Sequence, residues 1–297
     1  MKKIALILIA LIFVLTACQP VDLDAPAPVF DTGIDPNAWK TIPAGEFLAG
    51  QFNEEVLIDY DYEMMVTLVT NAQYAEYLNA ALADGVIKIV DDQVMGYYPG
   101  DEFHGGRHEE RIDAGDYLHV PLKNPALRLT FDGTTFSAKP TWANHPMTMV
   151  SWFGAKAYCE YYGWRLPTEL EWEKAARGVD GRPFPWGDTI ARNNANFLSS
   201  RDPFEDMRTF GSRTTPVGFY NGMSYNGYQT LDSASPYGLY DMAGNVWQWT
   251  ADIYAGQHYR YLRGGSKDVY ENALRVWKRN NATPTYVSPA AGFRCAR

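Results

Sequence analysis

The sequence is short of basic charge, of cysteine and of long apolar runs, and it contains no internal repeat. Its 26 Lys and Arg residues stand against 35 Asp and Glu, a formal net charge of -9. Phosphate backbones require a basic surface, so this balance argues against a nucleic-acid partner and leaves room only for a local basic patch. The lack of a repeat period argues against solenoids and propellers. No Walker loop, Ser/His/Asp order or paired acidic motif rises above background, so the common hydrolase and nucleotide-binding chemistries have no footing. What is present is a packed-globule composition, 46% hydrophobic over 297 residues, enough for one large domain or two small ones.

The longest apolar run, Ile4 to Leu15 behind Lys2 and Lys3, is too short to span a bilayer comfortably but suits a secretory signal. It ends in Leu15, Thr16, Ala17 and Cys18, which resembles a bacterial lipobox; an ordinary signal with an incidental cysteine is the alternative. The expectation is a signal peptide over residues 1–17 and a mature chain starting at Cys18. There the thiol carries diacylglycerol and the amine a further acyl chain such as palmitate, fixing a lipoprotein to the membrane in the cell envelope. Gln19 does not decide between the outer face of the cytoplasmic membrane and an outer membrane. Loss of the two lysines takes the charge from -9 to -11. Pro20, Pro26, Pro28 and Pro36 with four aspartates then spell a tether over residues 18–38, reaching about 60 Å at most. The folded domain is expected from Trp39, giving a span of residues 39–297.

With Cys18 lipidated, Cys159 and Cys295 remain as an even pair in an oxidising compartment, and a bond between them is predicted. The alternative is two free core thiols. Ile42 to Gly50 reads as an entry strand and turn, and Ile58 to Tyr62 as a second extended stretch. Thr70 with Gln73 is a capping box opening a helix to about Ala83, with Tyr74, Tyr77, Leu78 and Ala81 on one face. Residues 85–137 read as a less regular insertion, apart from a hairpin around Asp132 and Gly133. Ser151 caps a second helix ended by Gly163, and Thr168 with Glu171 opens a third that ends at Gly178. Beyond it Gly, Pro, Asn and aromatics dominate, and few periodic segments longer than five residues are expected.

Five blocks carry a family resemblance: RLPTELEWEKAARG from Arg165, PWG from Pro185, YGLYDMAGNVWQW from Tyr237, RGGS from Arg263 and GFRC from Gly292. In this order they resemble the formylglycine-generating enzyme (sulfatase-modifying factor) family. That resemblance implies an α+β, loop-rich variant of the C-type-lectin fold, and a disulfide between the helix before RLPTE and the GFRC block, that is, Cys159 to Cys295. It also implies two calcium sites. One maps onto Asp241, Gly244, Val246 and Gln248, where glutamine replaces the usual glutamate, so that the site is expected to be weaker or empty. The other maps onto Asn196 and Phe197 with an acidic residue, Asp206.

Active members oxidise a substrate cysteine with copper held by two cysteines after the GGS block; those positions fall here on Val269 and Leu274, which offer no thiolate. Copper is therefore not expected. His104, His108 and Glu110 form an H-x3-H-x-E pattern resembling the iron-binding stretch of sulfoxide synthases, although Gly105 and Gly106 interrupt the helix such spacing needs. A charged surface loop is the alternative.

The reading that follows is an extracytoplasmic, membrane-anchored family member without the copper pair, acting as a noncatalytic binding or structural module. Its peptide, protein or saccharide ligand is expected in a groove lined by Trp249, Ser266, Val269, Leu274 and Trp277, with His258 nearby. The alternatives are an oxidoreductase using iron or another residue and, further off, formylglycine generation itself.

Overall fold

The computed structural model describes residues 28–205, 213–254 and 256–297; the proposed signal peptide, Cys18 and Asp206 lie outside them. Among the described residues three α-helices and fifteen short strands make a loop-rich α+β fold. The chain opens with β1 (Trp39–Ile42), β2 (Gly45–Ala49), β3 (Glu54–Ile58) and β4 (Tyr62–Met65). β2 and β3 form a hairpin while β1 pairs with β4. The expected single entry strand is thus two, divided at Pro43, a residue that cannot donate to a ladder. The expected second stretch, Ile58 to Tyr62, is the link between two strands.

Helix α1 (Asn71–Ala83) starts at Thr70, whose hydroxyl accepts from the Gln73 N–H while the Gln73 side chain accepts from the Thr70 N–H. Its predicted face is buried, with Tyr74, Tyr77, Leu78 and Ala81 in the main core. Helix α2 (Trp152–Tyr161) is capped by Ser151, and α3 (Glu169–Arg177) by the reciprocal Thr168 and Glu171 bonds. Tyr74 and Tyr158 stack at 5.6 Å, joining α1 to α2. Both helices pack around Cys159 and Cys295, which are bonded and buried in the same core.

The insertion is more regular than its composition suggested. β5 (Ile87–Val90), β6 (Gln93–Tyr98) and β7 (Gly115–Pro121) form an antiparallel three-stranded sheet, and β8 (Leu129–Phe131) pairs with β9 (Phe136–Ala138) as the predicted hairpin. β7 lies on α2, where a Cβ on Gly154 would come within 3.0 Å of the His119 Cα; this close approach requires glycine.

The last part of the chain has a small pair, β10 (Ser224–Tyr225) with β11 (Tyr228–Gln229). It also has a four-stranded sheet in the order β14 (Arg279–Ala282), β13 (Tyr259–Arg263), β12 (Trp247–Tyr254), β15 (Ala291–Gly292). At 8 residues β12 is longer than expected. The strand's inward residues Trp249 and Ala251 belong to the main core, and its outer end bends at an irregularity between Trp249 and Ile253.

The packed chain starts earlier than Trp39. Phe30 lies 5.2 Å from Tyr225 and 5.8 Å from Phe204, and the Thr32 hydroxyl donates to the Val217 carbonyl at 2.9 Å. A single phenylalanine among acids and prolines gave no periodic signal, yet it completes an aromatic cluster.

Two buried histidines set an acid limit. Burial pushes the His119 imidazole down to about 4 and that of His145 down to about 3. Both are neutral in the folded protein, whereas in the unfolded chain they take up protons below about pH 6.5. Stability is therefore full above that pH and falls as the pH drops from about 6.5 towards 4. Thermal melts across this window are expected to show that fall, and a flat profile contradicts it. Replacing Cys159 and Cys295 with alanine opens a loop of 136 residues in sequence. The expected cost is about 2–5 kcal/mol by chemical denaturation, and an unchanged midpoint contradicts the staple role.

Candidate binding cleft at the insertion seam

A cavity of about 580 Å³ opens where the insertion meets the rest of the domain. Its aromatic faces come from Tyr60, from Tyr98 at the end of β6 and from Trp152 at the start of α2; Leu166 and Ile253 extend the apolar surface. The wall is fixed by Arg260 on β13, whose side chain is fully buried. One guanidinium nitrogen donates to the His258 carbonyl at 2.8 Å, another donates to Asp101 Oδ2 at 2.5 Å, and the plane lies 4.2 Å over the Trp152 ring. Asp101 also accepts from the Tyr98 hydroxyl at 2.5 Å. Burial and the Asp101 hydrogen bond push the Tyr98 phenol well above its usual range, so it stays a donor. At the rim, Arg165 holds Glu171 with two bonds of 2.6 Å, and Lys156 pairs with Glu160. The charges are thus matched within the walls, and the remaining surface is mostly aromatic and apolar. Such a site suits a ligand with an apolar face and a hydrogen-bonding edge.

The residues expected to line a groove lie elsewhere. Trp249 is in the main core, its indole N–H donating to the Val150 carbonyl at 3.2 Å. Leu274 is fully buried and clusters with Phe184, Ala195, Phe197 and Ala243, with Val269 packed against them. Ser266 is buried and its hydroxyl accepts from the Asp268 N–H at 3.3 Å. Trp277 is half-buried, with the Arg177 guanidinium 5.4 Å from its ring. Val269 and Leu274 are therefore aliphatic packing.

His104, His108 and Glu110 do not converge, because residues 101–110 form no helix and both His108 and Glu110 face solvent. A different trio meets there. Glu109 Oε1 lies 3.1 Å from His104 Nδ1 and 3.2 Å from His258 Nε2. The backbone N–H groups of His104 and Gly106 donate to the same carboxylate, and the His104 bond is the main cause holding its pKa down to about 2. His258, placed at the β12–β13 turn with a φ of 60°, is buried, and its Nδ1 contacts the Glu110 carbonyl at 2.5 Å. Sequence spacing missed Glu109 because the convergence runs across 154 residues, from His104 to His258, rather than along a helix.

The first expected calcium site does not fit its residues. Gln248 Oε1 accepts from the Trp172 indole at 2.9 Å and from Arg294 Nε at 2.8 Å, while Gln248 Nε2 donates to the Asp241 carbonyl at 2.7 Å. Asp241 Oδ2 accepts from the Gly218 N–H at 2.7 Å; burial raises this carboxyl, and the nearby Arg294 opposes the rise. Gly244 donates its N–H to the Gly264 carbonyl, and Val246 is core. The Gln248 and Asp241 oxygens are thus covered by N–H donors, with the buried Arg294 guanidinium supplying positive charge nearby. At the second site Asn196 Nδ2 donates to the Arg213 carbonyl at 2.7 Å, but the buried Asn196 Oδ1 meets no donor among the described residues. The Phe197 carbonyl accepts from the Ser200 N–H at 3.0 Å and keeps a second lone pair, and the unpartnered Asn196 oxygen suits a cation or a water, so here the residues fit.

Asp101 and Arg260, which build the cleft, were not legible in the sequence; the one cue is an arginine alternating with Tyr259 and Tyr261 on a strand. Arg260→Met would strand Asp101 in a buried place. The expected cost is about 3–5 kcal/mol, partly recovered by adding Asp101→Asn. A cost below 1 kcal/mol in denaturant titration contradicts the clamp.

Three comparisons bear on this geometry. The family model described as "Sulfatase-modifying factor enzyme 1-like domain" matches residues 33–297. The mouse formylglycine-generating enzyme is 34% identical over 318 aligned positions, covering 94% of this chain and 81% of that protein. The mouse protein named inactive C-alpha-formylglycine-generating enzyme 2 is 41% identical over 160 residues, 51% of this chain and 48% of its own length. Over matches of that kind the chain spans a quarter to a half of its relatives. The fold is similar to that of PvdO from Pseudomonas aeruginosa, with a TM-score of 0.56 at 20% identity, covering 92% of this chain and 99% of that one.

Proposed function

This chain belongs to the sulfatase-modifying factor family, and we propose that it is a noncatalytic member: a binding module held in the cell envelope by a lipid on Cys18. The observation that carries this reading is the packing of Val269 and Leu274. Copper-dependent oxidation of a cysteine requires two soft sulfur ligands that can also exchange disulfides, and valine and leucine do neither. Their side chains also occupy the space as core. An inactive relative in the mouse supports the idea that the fold outlives the chemistry.

The binding surface in this reading is the cleft at the insertion seam, where Tyr60, Tyr98 and Trp152 present aromatic faces to a peptide or saccharide. Calcium, if held, belongs at Asn196 Oδ1 and the Phe197 carbonyl, where it would tie two loops together as a structural ion. A second reading, an oxidoreductase of the same family using another metal, is favoured only by the meeting of His104, Glu109 and His258.

The proposal predicts that the full-length protein, supplied with copper, oxygen and a cysteine peptide of the sulfatase type, yields no aldehyde product above a protein-free control. Intact-mass measurement of the peptide checks this. Conversion of the cysteine to formylglycine overturns the noncatalytic reading.

A further inference from the structure

We infer that His104, Glu109 and His258 form a binding site for one first-row divalent cation, of zinc chemistry, that fastens the insertion to the β12–β13 turn. The three donor atoms lie within 4.8 Å of one another. Around a tetrahedral zinc with bonds of about 2.0–2.1 Å, ligand atoms sit about 3.3 Å apart. The two carboxylate–imidazole separations, 3.1 and 3.2 Å, already have that spacing. Two imidazole nitrogens and one carboxylate oxygen are borderline donors, suited to zinc and its first-row neighbours rather than to calcium or magnesium.

The hydrogen-bond logic around His258 points the same way. A carbonyl can only accept, so the contact from Nδ1 to the Glu110 carbonyl places the proton of a neutral imidazole on Nδ1. Nε2 then turns a lone pair towards Glu109 Oε1 at 3.2 Å, and two electron-rich atoms face each other in a buried place. A cation between them removes the conflict. The carbonyl bond is also the outer-sphere contact that typically orients a metal-bound histidine. Glu109 is oriented by its own shell, since the His104 N–H donates to Oε1 at 2.9 Å and to Oε2 at 3.1 Å, and the Gly106 N–H donates to Oε2 at 2.8 Å. His104 is exposed, which gives the ion a path from solvent and leaves a coordination position for water. The other arrangement of these groups is an ion-pair clamp, with His258 carrying a second proton and no metal involved.

The test uses the full-length protein, stripped with a chelator and titrated calorimetrically with Zn²⁺. One equivalent per chain is expected. His104→Ala, at an exposed position, and His258→Gln should each weaken uptake by about 100-fold or more. His108→Ala, four residues on and facing solvent, should leave it unchanged. Circular dichroism of metal-free His104→Ala establishes that the variant folds. Absence of saturable uptake, or uptake that survives both His104→Ala and His258→Gln, overturns the site and leaves the ion-pair clamp.

Discussion

Everything in this fold depends on satisfying buried carbonyls in loops that have no ladder to do it. Four arginines that water does not reach, Arg177, Arg260, Arg263 and Arg294, supply the donors. Arg294 donates to the Met65, Val66 and Tyr240 carbonyls and to Gln248. Arg263 bridges Glu169, Glu173 and the Val276 carbonyl, joining helix α3 to the sheet. Arg177 reaches Gly50 and Gly181, with Glu173 beside it. A guanidinium brings five donors in a fixed fork, which suits scattered acceptors better than a single amide does. Buried charge is costly, so each guanidinium except that of Arg294 is paired directly with a carboxylate; Arg294 has Asp241 nearby as its compensating charge.

That constraint also bears on function. At Gln248 a neutral side chain and the Arg294 guanidinium tie Trp172, Asp241 and Tyr240 together. Val269 and Leu274 are taken up by aliphatic packing. Both features agree with the proposed noncatalytic reading. Arg260 applies the same device to the insertion, pulling Asp101 and the Tyr98 strand against α2 and leaving a cleft lined by aromatic rings.

Much of the framework was legible because it is written locally. Capping boxes at Thr70 and Thr168, the Ser151 cap and the blocks from RLPTE to GFRC each need only a few adjacent residues to read. The disulfide followed from cysteine arithmetic and from the resemblance alike. The insertion sheet was not legible, since β6 contains Gly96 against His119, which breaks simple alternation. The site suffered most. Trp249, Ser266 and Leu274 look like groove residues in a row of letters but face the core, whereas Asp101, Glu109, His258 and Arg260 meet only after the chain has folded over more than a hundred residues.

The proposed reading places ligand binding in the cleft at the insertion seam, away from the loop that carries Val269 and Leu274. The most direct measurement is hydrogen exchange on the full-length protein with a defined panel of oligosaccharides and peptides. A ligand that binds should slow exchange in residues 98–101, 156–166 and 251–260 and leave 264–276 unchanged. Protection confined to 264–276 would contradict the account and return the working site to the loop carrying Val269 and Leu274.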